Sequence, residues 1–126
     1  MARTPTYRDE TALVKAIVIK IKTKYPDAWI MKVHGGPMQT AGIPDLLICV
    51  NGLLIGAEIK HQKPRESEAH ARGRATPLQH AQIAKIQASG GVAGVALTPD
   101  ETLALVELAI EQNRNTNQEI QNVERD

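Results

Sequence analysis

Two apolar runs joined by an Asn-Gly pair, LLICV (46–50) and LLIGA (53–57) around Asn51-Gly52, leave this chain little freedom in how it folds locally. Asn-Gly between such runs is the strongest short-range signal for a two-residue type I′ hairpin. With Asn51 and Gly52 as the turn, Val50 faces Leu53, and the pairing carried outward sets Asp45 directly opposite Glu58. Directly opposed residues share a sheet face with Cβ atoms roughly 5 Å apart. Lys60, two residues beyond Glu58, projects from that face as well. Three charges thus form one cluster at the end of an apolar hairpin. Two carboxylates so close repel by about 3 kcal/mol at an effective dielectric near 20. Lys60 offsets part of this. A hard divalent cation offsets more, because such ions take carboxylate oxygens and keep waters for a phosphate ligand. The alternative is a solvated hairpin end with a simple acid–lysine pair, and the register argues against it.

The rest of the chain supplies the layers around this hairpin. Apolar positions 13, 14, 17, 18 and 21 predict an amphipathic helix over residues 9–24, stopped by Pro26. AWIMKVH (28–34) alternates, with Trp29, Met31 and Val33 on one face, and predicts a strand. GGPMQTAGIP (35–44) predicts a mobile loop, and KHQKPRESEAHARGRA (60–75) a long charged one. TPLQ (76–79) and TPDE (98–101) share one helix-start grammar: Thr as N-cap, Pro at the first helical position, Gln or Glu three residues after the cap. The first of these helices ends at Gly90-Gly91. VAGVAL (92–97) is a short apolar strand, and the last helix is expected from 99 to about 112. Residues 1–113 then form one domain of order αβββαβα, an α/β fold with a mixed, covered sheet. Residues 114–126 are expected as a polar, flexible tail.

Two more residues point toward the hairpin cluster. Glu10 precedes Leu13, Val14 and Ile17 at helical spacing, which puts it on the buried face of the first helix; an acid in a first turn equally suits the helix dipole. Gln79 lies on the face of Ile83 and Ile86, toward the sheet; it equally completes a capping box with Thr76.

There is no Phe, one Trp and two Tyr, so the core is aliphatic and no aromatic platform is available to stack exposed bases. No run is long enough to span a membrane, and MARTPTYRDE lacks the apolar centre of a signal peptide. A single cysteine, Cys49, rules out a disulfide framework within one chain, and a cytoplasmic setting is expected. Residues 1–99 carry 13 Lys/Arg against 7 Asp/Glu, whereas residues 100–126 carry 2 against 7. A basic body suits a polyanion such as nucleic acid. The segment 60–74, with five Lys/Arg against two Glu, offers Lys63, Arg65, Arg72 and Arg74 as candidate contacts to a phosphate backbone. His34, His61, His70 and His80 have no zinc-ligand spacing on one element.

Pro44-Asp45 followed after twelve residues by Glu58-Ile59-Lys60 resembles the PD-(D/E)xK nuclease signature. GIPDLLI, GAEIK, GRATPLQ and the later Gly-Gly before an apolar strand are similar to the VRR-NUC branch of that superfamily, from about Glu10 to Leu97. The resemblance implies a restriction-endonuclease-like αβββαβ core with a mixed central sheet flanked by helices. It implies Mg²⁺ or Mn²⁺ held by Asp45, Glu58 and the carbonyl of Ile59, with Glu10 completing the metal site. Lys60 would position or activate the attacking water, and Gln79 would orient the site. Stand-alone relatives of this size, often phage-encoded, imply a homodimeric DNA endonuclease acting on branched DNA such as Holliday junctions. The alternatives are a nicking or flap-type nuclease and a non-catalytic DNA-binding module that retains the fold.

Overall fold

The computed structural model describes residues 6–37 and 39–125. Its elements run α1 (Glu10–Lys24), β1 (Trp29–Lys32), β2 (Leu46–Val50), β3 (Leu53–Ile59), α2 (Glu68–Gly73), α3 (Pro77–Ala88), β4 (Val92–Ala96) and α4 (Pro99–Arg125). The four strands form one mixed sheet in the order β1-β2-β3-β4, antiparallel except for the parallel pair β3–β4. This is the mixed α/β architecture expected from the strand pattern.

The hairpin governs the register. Asn51 and Gly52 take φ of 53° and 79°, the left-handed pair that a type I′ turn requires. Val50 pairs with Leu53 and the ladder continues without a bulge to Leu46 opposite Ala57. Alternation then divides the sheet into two faces. Leu46, Ile48, Val50, Ile55, Ala57 and Ile59 point into a core with Leu13, Ile17 and Ile21 of α1 and Val106 and Ala109 of α4. The opposite face carries Leu47, Cys49, Leu54, Gly56 and Glu58. On that side α3 covers β3, and it comes close because Gly56 has no side chain: a Cβ there would stand 3.0 Å from Ile86 and from Pro44.

Helix ends follow the sequence signals. Asp9 caps α1 through Ala12 N–H, and Thr76 with Gln79 makes a complete capping box on α3. Gly90, at φ 96°, turns the chain out of α3 while Gly91 N–H bonds Ile86 O at 2.9 Å. The α1–α4 contact is fastened at its margin by Glu107, which accepts from Lys24 and, at 2.7 Å, from the Tyr25 hydroxyl.

Three expectations need correction. The charged segment 60–75 is not all loop: Ser67 accepts from His70 N–H at 3.1 Å and starts the short helix α2. The last helix does not end near 112 but runs as α4 to Arg125. No Gly or Pro interrupts residues 100–125, so nothing in the backbone stops it, although its final turns are exposed all round. Strand β1 is shorter than 28–34, and the face shared by Trp29 and Met31 is the exposed one, at 54% and 43%. Residue 38, within the glycine-rich loop, lies outside the described residues. Among the described residues no helix is long and apolar enough to cross a membrane.

Candidate active site

The end of the hairpin holds the charged cluster that the register demands. Asp45 sits one residue before β2; its carbonyl accepts from Val33 N–H at 2.8 Å and its side-chain Oδ2 accepts from Ile59 N–H at 2.8 Å. A carboxylate thus caps the end of β3 and is fixed from two sides. Glu58, on the neighbouring strand, is 1% exposed. Its Oε1 accepts from Gln79 Nε2 at 2.7 Å and lies 3.4 Å from Lys60 Nζ. Its Oε2 is buried with no partner.

An unpaired buried carboxylate oxygen is costly unless the group stays neutral or gains a ligand. Burial first, then the adjacent Asp45 carboxylate, push Glu58 up to about 7, with Lys60 working in the opposite direction. Near neutral pH the Glu58 carboxyl is therefore poised between its protonated and ionised forms. An orphaned oxygen beside a second carboxylate is a donor set that fits a hard divalent ion.

Gln79 resolves an alternative left open by the sequence, because it does both jobs. Its Oε1 accepts from Thr76 N–H at 2.8 Å to complete the capping box, and its Nε2 holds Glu58. The first turn of α3 is in turn pressed by the glycine-rich loop. Gly42 has φ of +85°, and a Cβ there would lie 2.4 Å from the Leu78 carbonyl oxygen and 3.0 Å from Gln79 N. No sequence signal marked this contact beyond the glycine itself. Gly42→Ala should destabilise the fold by about 2 kcal/mol or more, through strain at a left-handed residue and displacement of backbone. Gly36→Ala, where a Cβ meets nothing within 4 Å, should be nearly neutral. Equal melting temperatures for the two variants would contradict the packing role of Gly42.

Glu10 is not on a buried face: it is the first residue of α1 and is exposed, near enough to Arg74 to favour that residue's charge. Among the described residues no group of three or more His, Cys, Asp or Glu is arranged to hold a metal ion, so Glu10 does not join Asp45 and Glu58 in such a cluster here. The basic segment also divides. Arg74 donates to both oxygens of Glu66 and to His61 O, and Arg72 donates to Glu101 at the start of α4. Arg72 thus ties α2 to the body, and Arg74 folds the preceding loop onto the end of α2. Glu66, which sequence reasoning did not single out, is the anchor: Arg74 first, with His70 and Lys63 N–H, holds its carboxylate far below the usual range. Lys63 and Arg65 remain exposed, with no ion pair among the described residues.

No family model matches this chain, and no curated protein matches it. Among solved structures, a chain described as a VRR_NUC domain superposes on 72% of this chain and 90% of its own length, with a TM-score of 0.48 and 17% sequence identity. At that level of likeness, the reading of the site rests on its own geometry.

Proposed function

We propose that the protein is a metal-dependent, structure-selective DNA endonuclease that hydrolyses phosphodiester bonds of branched DNA, four-way junctions among them, as a homodimer. The observation that carries this reading is the buried Glu58, with one oxygen unpartnered, beside Asp45, Lys60 and Gln79 on the end of a rigid hairpin. Asp45 and Glu58, with the carbonyl of Ile59, would hold Mg²⁺ or Mn²⁺. Such an ion, when bound, neutralises phosphate charge and lowers the pKa of water. The chain's own residues do the remaining work. Lys60, 14% exposed, places a positive charge at the edge of the site, where the phosphorus gains negative oxygen in the transition state. Gln79 restricts Glu58 to one rotamer, and Ile59 N–H does the same for Asp45. Lys63 and Arg65 are the exposed cations best able to meet the DNA backbone, with Arg72 and Arg74 holding the segment that presents them. Two such sites related by a two-fold axis match a two-fold-symmetric junction.

The test is cleavage of a four-way junction, a flap and a linear duplex of matched sequence, each with Mg²⁺ and with Mn²⁺. Paired cuts in the junction in preference to the other two are the expected result. A preference for flap or for nicked products would replace the junction reading with the corresponding nuclease. Binding of all three without any cut would leave a DNA-binding module.

A further inference from the structure

We propose that Trp29 stacks on an unpaired base of the DNA near the scissile phosphate and so sets a preference for branched over fully paired substrate. The proposal rests on the nuclease reading above and names the residue that recognises its substrate. The strand registers place Trp29 beside Cys49 and Met31 beside Leu47. The bond from Val33 N–H to Asp45 O carries the same ladder one row further, to the active site. Trp29, Met31 and Asp45 therefore belong to one sheet face. At roughly 3.4 Å per residue, Met31 lies about 7 Å and Trp29 about 14 Å along the strand from the row of Asp45. On this face Ile86 of α3 closes over Gly56 of β3, whereas Trp29 and Met31 of β1 remain 54% and 43% exposed.

Size and chemistry select this occupant. About half of a tryptophan's roughly 150–250 Å² is bare, on the order of 100 Å². That is far too little to hold a folded partner, which needs roughly 800 Å² a side, yet it is a ring face that one base can cover. Its neighbours Met31, Cys49 and Leu54 are uncharged. They offer nothing to phosphates, whose binding depends on neutralising cations, but a base presents a neutral face that an indole can stack on. Stacked DNA advances about 3.4 Å per nucleotide in each strand, so a reach of about 14 Å meets a base some four nucleotides from the phosphate at Asp45. Within a duplex every base already stacks on its neighbours. Drawing one out is costly, and least so where it is mismatched or single-stranded. Branch points and flaps hold such bases. One tryptophan makes no cluster of rings, but the fold sets that single ring, exposed, on the active-site face, so a platform exists where composition promised none.

Trp29 is the one tryptophan, so its emission reports on this contact alone. The full chain is titrated, without divalent metal so that nothing is cut, with a four-way junction, a flap bearing a single-stranded arm and a duplex of matched sequence. Of the junction and the flap, the one bound more tightly should quench Trp29 emission at saturation, and the duplex should leave it unchanged. Trp29→Ala should bind that branch roughly tenfold to a hundredfold more weakly, the loss of one base–aromatic stack, with duplex binding unchanged. Trp29→Phe keeps a ring and should recover most of the loss; Trp29→Leu, apolar without a ring, should not. Should Trp29→Ala fail to fold, the Phe and Leu variants decide the point between them. Val123→Ala, at an exposed apolar position on α4, should change neither affinity. Unchanged emission in the bound branch overturns the proposal, and so does equal weakening of branch and duplex, or a Leu variant as good as the Phe one. Emission of the free protein that shifts on dilution would put another copy on this face and overturn it as well. A branch that leaves Trp29 unquenched but is cut with Mg²⁺ removes this proposal and leaves the nuclease. A branch that quenches Trp29 but is never cut does the reverse.

Discussion

Asp45→Ala should lower the rate of DNA cleavage by about a hundred- to a thousandfold, the loss that removing one preorganised electrostatic group at a charged transition state produces. Lys60→Ala should fall by about a hundred- to a thousandfold for the same reason. These losses should come without unfolding. In the metal-free protein Asp45 and Glu58 repel one another across the hairpin, so deleting one carboxylate relieves strain while leaving Ile59 N–H without its 2.8 Å partner. An unsatisfied amide costs about 1–3 kcal/mol, of the same order as the repulsion removed. The melting temperature of Asp45→Ala should therefore stay within a few degrees of wild type. Single-turnover cleavage of a labelled junction, with melting curves on the same samples, checks both halves. Wild-type rates in either variant would end the proposed mechanism. A collapse of melting temperature in Asp45→Ala would mean that the acid is structural, and the loss of cleavage would then say nothing about chemistry.

How much of this site was legible in the sequence depends on how far apart its parts lie along the chain. The hairpin register was fully legible, because a type I′ Asn-Gly turn leaves one pairing, and the ladder from Val50–Leu53 to Leu46–Ala57 follows it. Gln79 was legible as a sheet-facing residue because its helix start is local grammar, though the bond to Glu58 is tertiary. Glu10 misled for an instructive reason: helical spacing places a residue on a face, but at the first position of a helix nothing upstream need cover that face. Arg72 and Arg74 looked free because their acidic partners are 29 and 8 residues away. The α4 extension was misjudged because polarity measures what a segment can bury and not what its backbone can form. Trp29 and Met31 alternate as a strand should, yet alternation cannot say which of two sheet faces another layer covers.

The pH dependence of stability offers the sharpest view of Glu58 without any substrate. Its acid is raised from 4.5 to about 7, chiefly by burial and then by Asp45. Between those values the native state holds a proton that the unfolded chain has released, so stability must fall as pH rises through that window and level off above it. At about 1.4 kcal/mol for each pH unit across that window, the whole effect is on the order of 3 kcal/mol, or roughly 10 °C in the melting temperature of a domain this size. Glu66, Glu101 and Glu107, whose acids are lowered by Arg74, Arg72 and Lys24, act in the opposite sense and below 4.5, where stability is lost as pH falls. The metal-free protein should therefore melt highest near pH 5 and lower at pH 8. Glu58→Gln carries no proton to release and should be flat across 5 to 8. Millimolar Mg²⁺ or Mn²⁺ at pH 8 should raise the wild-type melting temperature, since a cation satisfies the same oxygen that the proton does, and should raise that of Glu58→Gln far less. Parallel pH profiles for wild type and Glu58→Gln would show that the buried carboxyl is not the group that titrates. Equal cation responses would show that it is not the group that binds.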